Sequence, residues 1–169
     1  AEVQLPFWDS LASWAPARTV TESGKKDVLF KGNISYDVQD DTMIYATISE
    51  GYRRGGAAAV PTTGNFAEDP AWLAYGSDSV VNYELGVKGS SDRLRYSASV
   101  FYVDWSNPQI NTATSNWGFF TAANGDTAAT KGVELEMEGQ LSQALHYSFG
   151  YAYVDAKLTS DFIAPTGAV

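Results

Sequence analysis

The sequence predicts an all-β chain, an antiparallel up-and-down transmembrane β-barrel segment of about six strands with short turns at one end and long loops at the other. Three observations predict it. Apolar and polar residues alternate with a period of two in six stretches, which gives each stretch one greasy and one polar face. The connections between stretches run short, long, short, long, short. Tyrosines on the greasy faces gather at the two ends of the stretches.

Residues 1–26 show no period and carry Pro6, Trp8, Trp14 and Pro16 among polar residues, so a loop is expected there. Val28, Phe30, Gly32, Ile34, Tyr36 and Val38 then share one face against Lys31, Asn33, Ser35, Asp37 and Gln39. Asp40-Asp41 makes a tight turn, and Thr42–Glu50 returns with Ile44, Ala46 and Ile48 opposite Tyr45, Thr47 and Ser49. A long loop over residues 53–80 follows, with Pro61, Gly64 and Pro70. The hairpin Asn82–Trp105 is the clearest element. Its first arm sets Tyr83, Leu85, Val87 and Gly89 against Asn82, Glu84, Lys88 and Ser90. Its second sets Leu94, Tyr96, Ala98, Val100 and Tyr102 against Arg93, Arg95, Ser97 and Ser99, around a turn at Ser91-Asp92. On a helix those apolar residues would scatter around the axis. After a second long loop, 106–127, Thr130–Gln140 sets Val133, Leu135 and Met137 against Glu134, Glu136 and Glu138. A short turn at 142–144 leads into Leu145–Lys157, where Tyr147, Phe149, Tyr151 and Tyr153 oppose Ser148, Gly150 and Ala152, and a loop with Pro165 and Gly167 closes the chain. All six prolines fall in loops, as strands require, because proline cannot donate to a ladder.

A soluble sandwich has no reason to put every long loop at one end. A bacterial outer-membrane barrel does, with short periplasmic turns and long extracellular loops. In that frame Tyr36, Tyr96 and Tyr147 lie near the short turns and Tyr83, Tyr102 and Tyr153 near the long loops. They form two membrane girdles around Ile34, Ile48, Leu85, Ala98, Leu135 and Phe149. The alternative is a soluble sheet with tyrosines covering one side, where tyrosine is also favoured.

The opposite face carries Lys31, Asp37, Glu84, Lys88, Arg95, Glu134, Glu136 and Glu138, and charges need water or partners. A wet lumen wall is expected, with Arg95 level with Glu136 and Glu138. Composition agrees with this division. The chain has 169 residues, 44% hydrophobic, without the run of 18 apolar residues that a spanning helix needs. A net charge of −9 argues against nucleic acid as a partner. Cysteine is absent, so neither disulfides nor thiolate metal sites arise. The N-terminus, AEVQLPFWDS, lacks the features of a signal peptide.

No catalytic constellation is visible. The single histidine, His146, sits beside a short turn, and no nucleophile elbow or P-loop occurs. The row Glu134, Glu136, Glu138 reads as wall rather than as a catalytic carboxylate pair. Asp69, Asp78 and Asp126 lack the spacing of a calcium loop, so no metal site and no cofactor are expected. Candidate ligand contacts lie in the long loops. Tyr52, Arg53 and Arg54 sit in Gly51–Gly56, where the arginines suit an anionic ligand or lipopolysaccharide phosphates. Trp72, Tyr75, Trp105, Trp117, Phe119 and Phe120 offer ring faces for stacking, or pack the loops against one another.

Three segments together resemble the C-terminal half of the barrel in TonB-dependent outer-membrane receptors: MIYATISEGYRRGG (43–56), VVNYELGVKGSSDRLRYSASVFYVDWSNPQI (80–110) and KGVELEMEGQLSQALHYSFGYAYVDAKLT (131–159). The resemblance covers most of residues 28–160. It implies a 22-stranded barrel around an N-terminal plug, energised through TonB, with residues 1–169 supplying part of the barrel domain. Plug, TonB box and remaining strands are not in this sequence, so an internal piece of a longer receptor is expected. The partners it implies are outer-membrane lipid and lipopolysaccharide, TonB through regions outside this chain, and a small-molecule nutrient. An iron–siderophore complex ranks first among ligands. Oligosaccharide or cobalamin uptake, a passive porin or adhesin barrel, and a soluble β-sheet binding domain are the alternatives.

Overall fold

The computed structural model describes residues 28–166. The expected loop with Trp8 and Trp14, and Gly167 of the closing loop, lie outside them. Among the described residues ten strands form: β1 (Lys31–Gln39), β2 (Thr42–Arg53), β3 (Gly56–Ala57), β4 (Ala74–Tyr75), β5 (Asp78–Ser91), β6 (Leu94–Ser106), β7 (Gln109–Ala113), β8 (Phe120–Asn124), β9 (Thr127–Ser142) and β10 (Leu145–Leu158). The six long ones make one sheet in the order β1-β2-β5-β6-β9-β10, each antiparallel to its neighbours. Sequence neighbours are therefore sheet neighbours throughout, which is an up-and-down meander, and the expected six-strand architecture holds.

Alternation survives in the register. One rung runs Ile34–Ala46–Leu85–Val100–Val133–Tyr153, and the next towards the short turns runs Tyr36–Ile44–Val87–Ala98–Leu135–Tyr151. The apolar face is thus continuous across all six strands. Phe149, expected in its middle, pairs with Met137 at the level of Tyr96, and Tyr151 takes the middle place instead.

Most strands run longer than alternation alone marked, while β1 starts at Lys31, past the Val28 and Phe30 that were expected on its apolar face. β2 continues to Arg53, and β5 begins at Asp78 rather than Asn82. The hairpin turn falls on Asp92-Arg93, one residue later than expected. The two long loops carry short ladders of their own, β3 with β4 and β7 with β8, where only irregular chain was expected. β7 and β8 are brief runs bounded by Pro108 and Gly125, too short for a period to stand out.

The location of the core is the informative feature. Val60, Trp72 and Ala123 form a buried cluster in the loops, with Ala58, Leu73, Phe162 and Ala164 packed against it. The large sheet covers neither of its faces: Ile34 is 72% and Leu85 58% exposed. Among the described residues no helix is long and apolar enough to cross a membrane, which says nothing about strands.

Candidate functional site

The functional candidates divide between the long-loop end of the sheet and its charged face. At the loop end a carboxylate organises the strand tips. Asp78 opens β5 opposite Arg53, the last residue of β2, and is 2% exposed. It accepts from the Arg53 backbone amide at 3.1 Å and from its guanidinium, with Nε at 2.9 Å and a second bond from Nη2. The Trp105 indole Nε1 donates at 3.0 Å and the Gln109 amide at 3.1 Å. The guanidinium also lies over the Trp105 ring, 5.0 Å from its centroid. β2, β5, β6 and β7 are therefore tied at one point.

Gln109 extends the tie, donating through Nε2 to the Arg54 carbonyl at 2.8 Å and to that of Gly76 at 3.1 Å. Asn124 in β8 bridges Gly76 and Asn107, accepting from the Gly76 amide at 2.5 Å and donating to the Asn107 carbonyl at 2.8 Å. Asn107 takes the left-handed backbone conformation, φ 52°, that turns the chain from β6 into β7.

A second carboxylate clasps the two long loops together. Glu68 is 3% exposed. Its Oε1 accepts from the Thr114 hydroxyl at 2.5 Å and the Trp117 amide at 2.7 Å, and its Oε2 from the Asn116 amide at 3.2 Å. Burial alone pushes this carboxyl upward, and the hydrogen bonds from Thr114, Trp117 and Asn116 together outweigh it, holding Glu68 below its ordinary range. The Phe66 and Trp117 rings meet edge-on beside the clasp, centroids 4.8 Å apart. Pro70–Leu73 form a 3₁₀ turn capped by Asp69, which accepts from the Ala71 amide at 2.8 Å.

These contacts sort the loop candidates. Trp72 is 1% exposed and belongs to the loop core, so in this structure its ring faces the chain itself. Arg53 and Trp105 are engaged by Asp78. Tyr75 sits in β4 with its ring over Gly56, its hydroxyl where a Cβ on that glycine would lie. Trp117, Phe119 and Phe120 keep exposed surface, Phe120 most of all at 87%. Tyr52 lies one residue from Arg53 and pairs with Ser79. Of the aspartates considered for calcium, Asp78 is bound by the Arg53 guanidinium, the Trp105 indole and two backbone amides, and Asp69 caps a turn, and no group of metal-ligating residues occurs among the described residues.

On the charged face, Tyr45 of β2 lies across Gly86 of β5. A Cβ on that glycine would stand 2.5 Å from the tyrosine ring, so only glycine leaves room for it. So placed, Tyr45 donates to Glu84 Oε1 at 2.6 Å, and the Lys88 ammonium sits 4.9 Å over its ring. Alternation marked Tyr45 as polar-facing but not this use of it; an aromatic across from a strand glycine is the signal that finds it. Arg95 pairs with Glu138 at 3.5 Å, while Glu136 stands opposite Ser97, so the expected level with both glutamates resolves to Glu138 alone. Glu134 stands opposite Ser99. His146 pairs with Gln140 next to the last short turn.

Comparison with known proteins places this arrangement. The family model described as "TonB dependent receptor-like, beta-barrel" matches residues 9–168. The chain is 26% identical over 140 residues to the pesticin receptor of Yersinia enterocolitica, covering 83% of this chain and 20% of that protein. It is 32% identical over 122 residues to the ferric-pyoverdine BN7/BN8 receptor of Pseudomonas putida, covering 71% and 14%. Among solved structures, the ferric yersiniabactin uptake receptor FyuA from Yersinia pestis superposes with a TM-score of 0.62 at 23% identity, over 78% of this chain and 19% of that one. The chain spans about a fifth of the length of the pesticin receptor that it matches.

Proposed function

This chain belongs to the TonB-dependent receptor family, and from that premise we propose that it supplies part of the barrel wall and extracellular rim of an outer-membrane receptor for TonB-dependent uptake of a scarce nutrient, an iron–siderophore complex. The observation that carries the reading is the inverted placement of apolar surface. A soluble sheet covers its greasy face with a second layer, whereas here that face is continuous and bare and the buried core sits in the loops. Strands of 12 to 16 residues for β2 and β9 exceed the 9–11 or so that a membrane crossing needs. Lipid meets the face bordered by Tyr96 and Tyr147 at one end and by Tyr83 and Tyr102 at the other, with Tyr36 and Tyr153 each one rung farther in. Glu84, Lys88, Arg95, Glu134, Glu136 and Glu138 line the wet interior.

Two relatives support the ligand class, since the receptor of Pseudomonas putida is named for ferric pyoverdine and one of Pseudomonas aeruginosa for metal-pseudopaline. Ligand capture falls to the loop platform through Trp117, Phe119, Phe120 and Arg54, with Arg53, Trp72, Tyr75 and Trp105 holding that platform in shape. A plug and a TonB box in the full-length protein then couple capture to transport. The test is growth of a receptor-deleted strain carrying the full-length gene on a panel of ferric siderophores under iron limitation. Growth that needs both the gene and TonB supports the reading. Growth on none of them, with TonB-independent permeation of small solutes, assigns a passive barrel instead.

A further inference from the structure

One peptide unit in the loop platform is chemically labile, and the fold holds it still. Asn124-Gly125 is the one Asn-Gly pair in the sequence. In such a pair the glycine nitrogen, with no side chain beside it, closes readily onto the side-chain amide carbon of the asparagine, a residue labile to heat for this reason. Four hydrogen bonds oppose that closure here. The Asn124 Oδ1 accepts from the Gly76 amide at 2.5 Å, and its Nδ2 donates to the carbonyls of Gly76 at 3.1 Å and Asn107 at 2.8 Å. The attacking nitrogen is engaged as well, since the Gly125 amide donates to the Pro108 carbonyl at 2.7 Å. Gly125 is buried, and Asn124 ends β8 paired with Gln109, so its backbone is extended. Ring closure needs the opposite: a rotated backbone at Asn124, a free Gly125 nitrogen and access for the base that takes its proton. Space also favours the glycine, because a Cβ there would stand 2.9 Å from Ile110 Cδ1 and 3.2 Å from Pro108 Cγ.

We propose that Asn124 is a site of spontaneous deamidation gated by the loop platform: the closed platform blocks the reaction and its opening permits it. In the open platform the Gly125 nitrogen loses its proton to hydroxide and attacks Cγ of Asn124. Nδ2 leaves as ammonia, taking a proton back from water, and a five-membered succinimide forms. Water then adds to either ring carbonyl and opens the ring to aspartate or isoaspartate, with no oxidant or reductant involved. The product does not fit the closed platform. One N–H and two carbonyls face the Asn124 side chain, and a carboxylate only accepts, so it would set its negative charge against both carbonyls. Isoaspartate also lengthens the backbone by one carbon and shifts β8 against β7. Asn124 is where the second long loop is tied to Gly76 of the first, so conversion unties the two loops from each other. Opening is thereby recorded irreversibly, and a platform that opens often closes less well with age. The inference goes beyond the receptor reading and does not depend on which ligand the platform captures.

The experiment follows the full-length protein in isolated outer membranes held in mildly alkaline buffer, with the fraction of acid at position 124 read by peptide mapping and mass spectrometry. Conversion in the native protein is expected to be slower by roughly tenfold or more than in the same protein unfolded in denaturant, because only the open fraction reacts. Glu68→Gln weakens the clasp between the same two loops, and is expected to speed native conversion about threefold or more while leaving the unfolded rate unchanged. Asn124→Asp is expected to raise chymotrypsin cleavage after Trp117, Phe119 and Phe120 several-fold, as an untied platform requires. Native conversion as fast as in the unfolded protein, no conversion in either, or no acceleration in Glu68→Gln would overturn the gated site. Unchanged cleavage in Asn124→Asp would overturn the untying. Should Asn124→Asp fail to assemble, the rates in wild type and Glu68→Gln decide the proposal by themselves.

Discussion

Glu68 and Asp78 carry the shape of the loop platform, and each does so by gathering donors that have few other partners. Glu68 leads to a pH dependence with a definite sign. Its folded carboxyl is held below the ordinary value near 4.3, so the clasp contributes fully at and above that value and is lost as pH falls through the lower, folded value. Protection of the Asn116 and Trp117 amides, taken as exchange relative to the intrinsic rate at each pH, should therefore be high at neutral pH and fall in strong acid. Glu68→Gln should remove that acid step and expose the amides at all pH values, because a neutral amide accepts these bonds more weakly. Exchange that is already fast in wild type at neutral pH would refute the clasp. Neither carboxylate stood out in the sequence as a hub. Asp78 was visible only as a loop acid without calcium spacing, because its importance depends on Arg53 and Gln109, far away in sequence and adjacent only after β2, β5 and β7 are in place.

At the scale of the element, period two was enough to find every long strand, since a one-residue slip would have turned each greasy side chain to the wrong face. It was not enough to find the strand ends. Beyond Glu50 and before Asn82 the period breaks, with Gly51 opposite Val80 and the apolar pair Val80-Val81 adjacent in sequence, while the backbone ladder continues to Arg53 and back to Asp78. Turn chemistry misplaced one hairpin by a residue for a related reason: Ser91, Asp92 and Arg93 are all acceptable in a polar turn, and the choice falls to the pairing of Ser91 with Leu94. Within the strands, aromatics lie across glycines at Tyr45 over Gly86 and Tyr96 over Gly89. Gly86→Val should lift the Tyr45 ring, break its bond to Glu84 and cost about 1–3 kcal/mol by overpacking. The readout is the melting of the full-length receptor's β-sheet circular dichroism signal. A substitution that leaves melting unchanged would mean the ring has another place to go. The Arg95–Glu138 pair, by contrast, is 76% and 63% exposed here and belongs to the class of ion pairs worth about 0–1 kcal/mol.

For the whole molecule, the fold class was legible because two independent regularities agreed, the alternation within strands and the alternation of short and long connections between them. The loop platform was not legible, because its core of Val60, Trp72, Ala123 and Phe162 has no period and is assembled from three separate segments. The lipid assignment makes the two faces of one strand respond differently to the same change. Leu135→Arg places a charge mid-strand on the apolar face and should cost about 2–4 kcal/mol of barrel stability. Its neighbour Glu136→Arg, on the wet face, should cost much less. Assembly yield of the full-length receptor in outer membranes measures both, and equal effects would show that the two faces share one solvent.

The shared hydrophobic nucleus beneath the loops has a practical corollary for anyone who wishes to redirect what such a barrel collects. Because residues 58–73, 107–126 and 159–166 are stitched into one body, exchanging a single loop for a relative's would orphan its counterparts. Specificity should move between homologues only when the three segments are transplanted together.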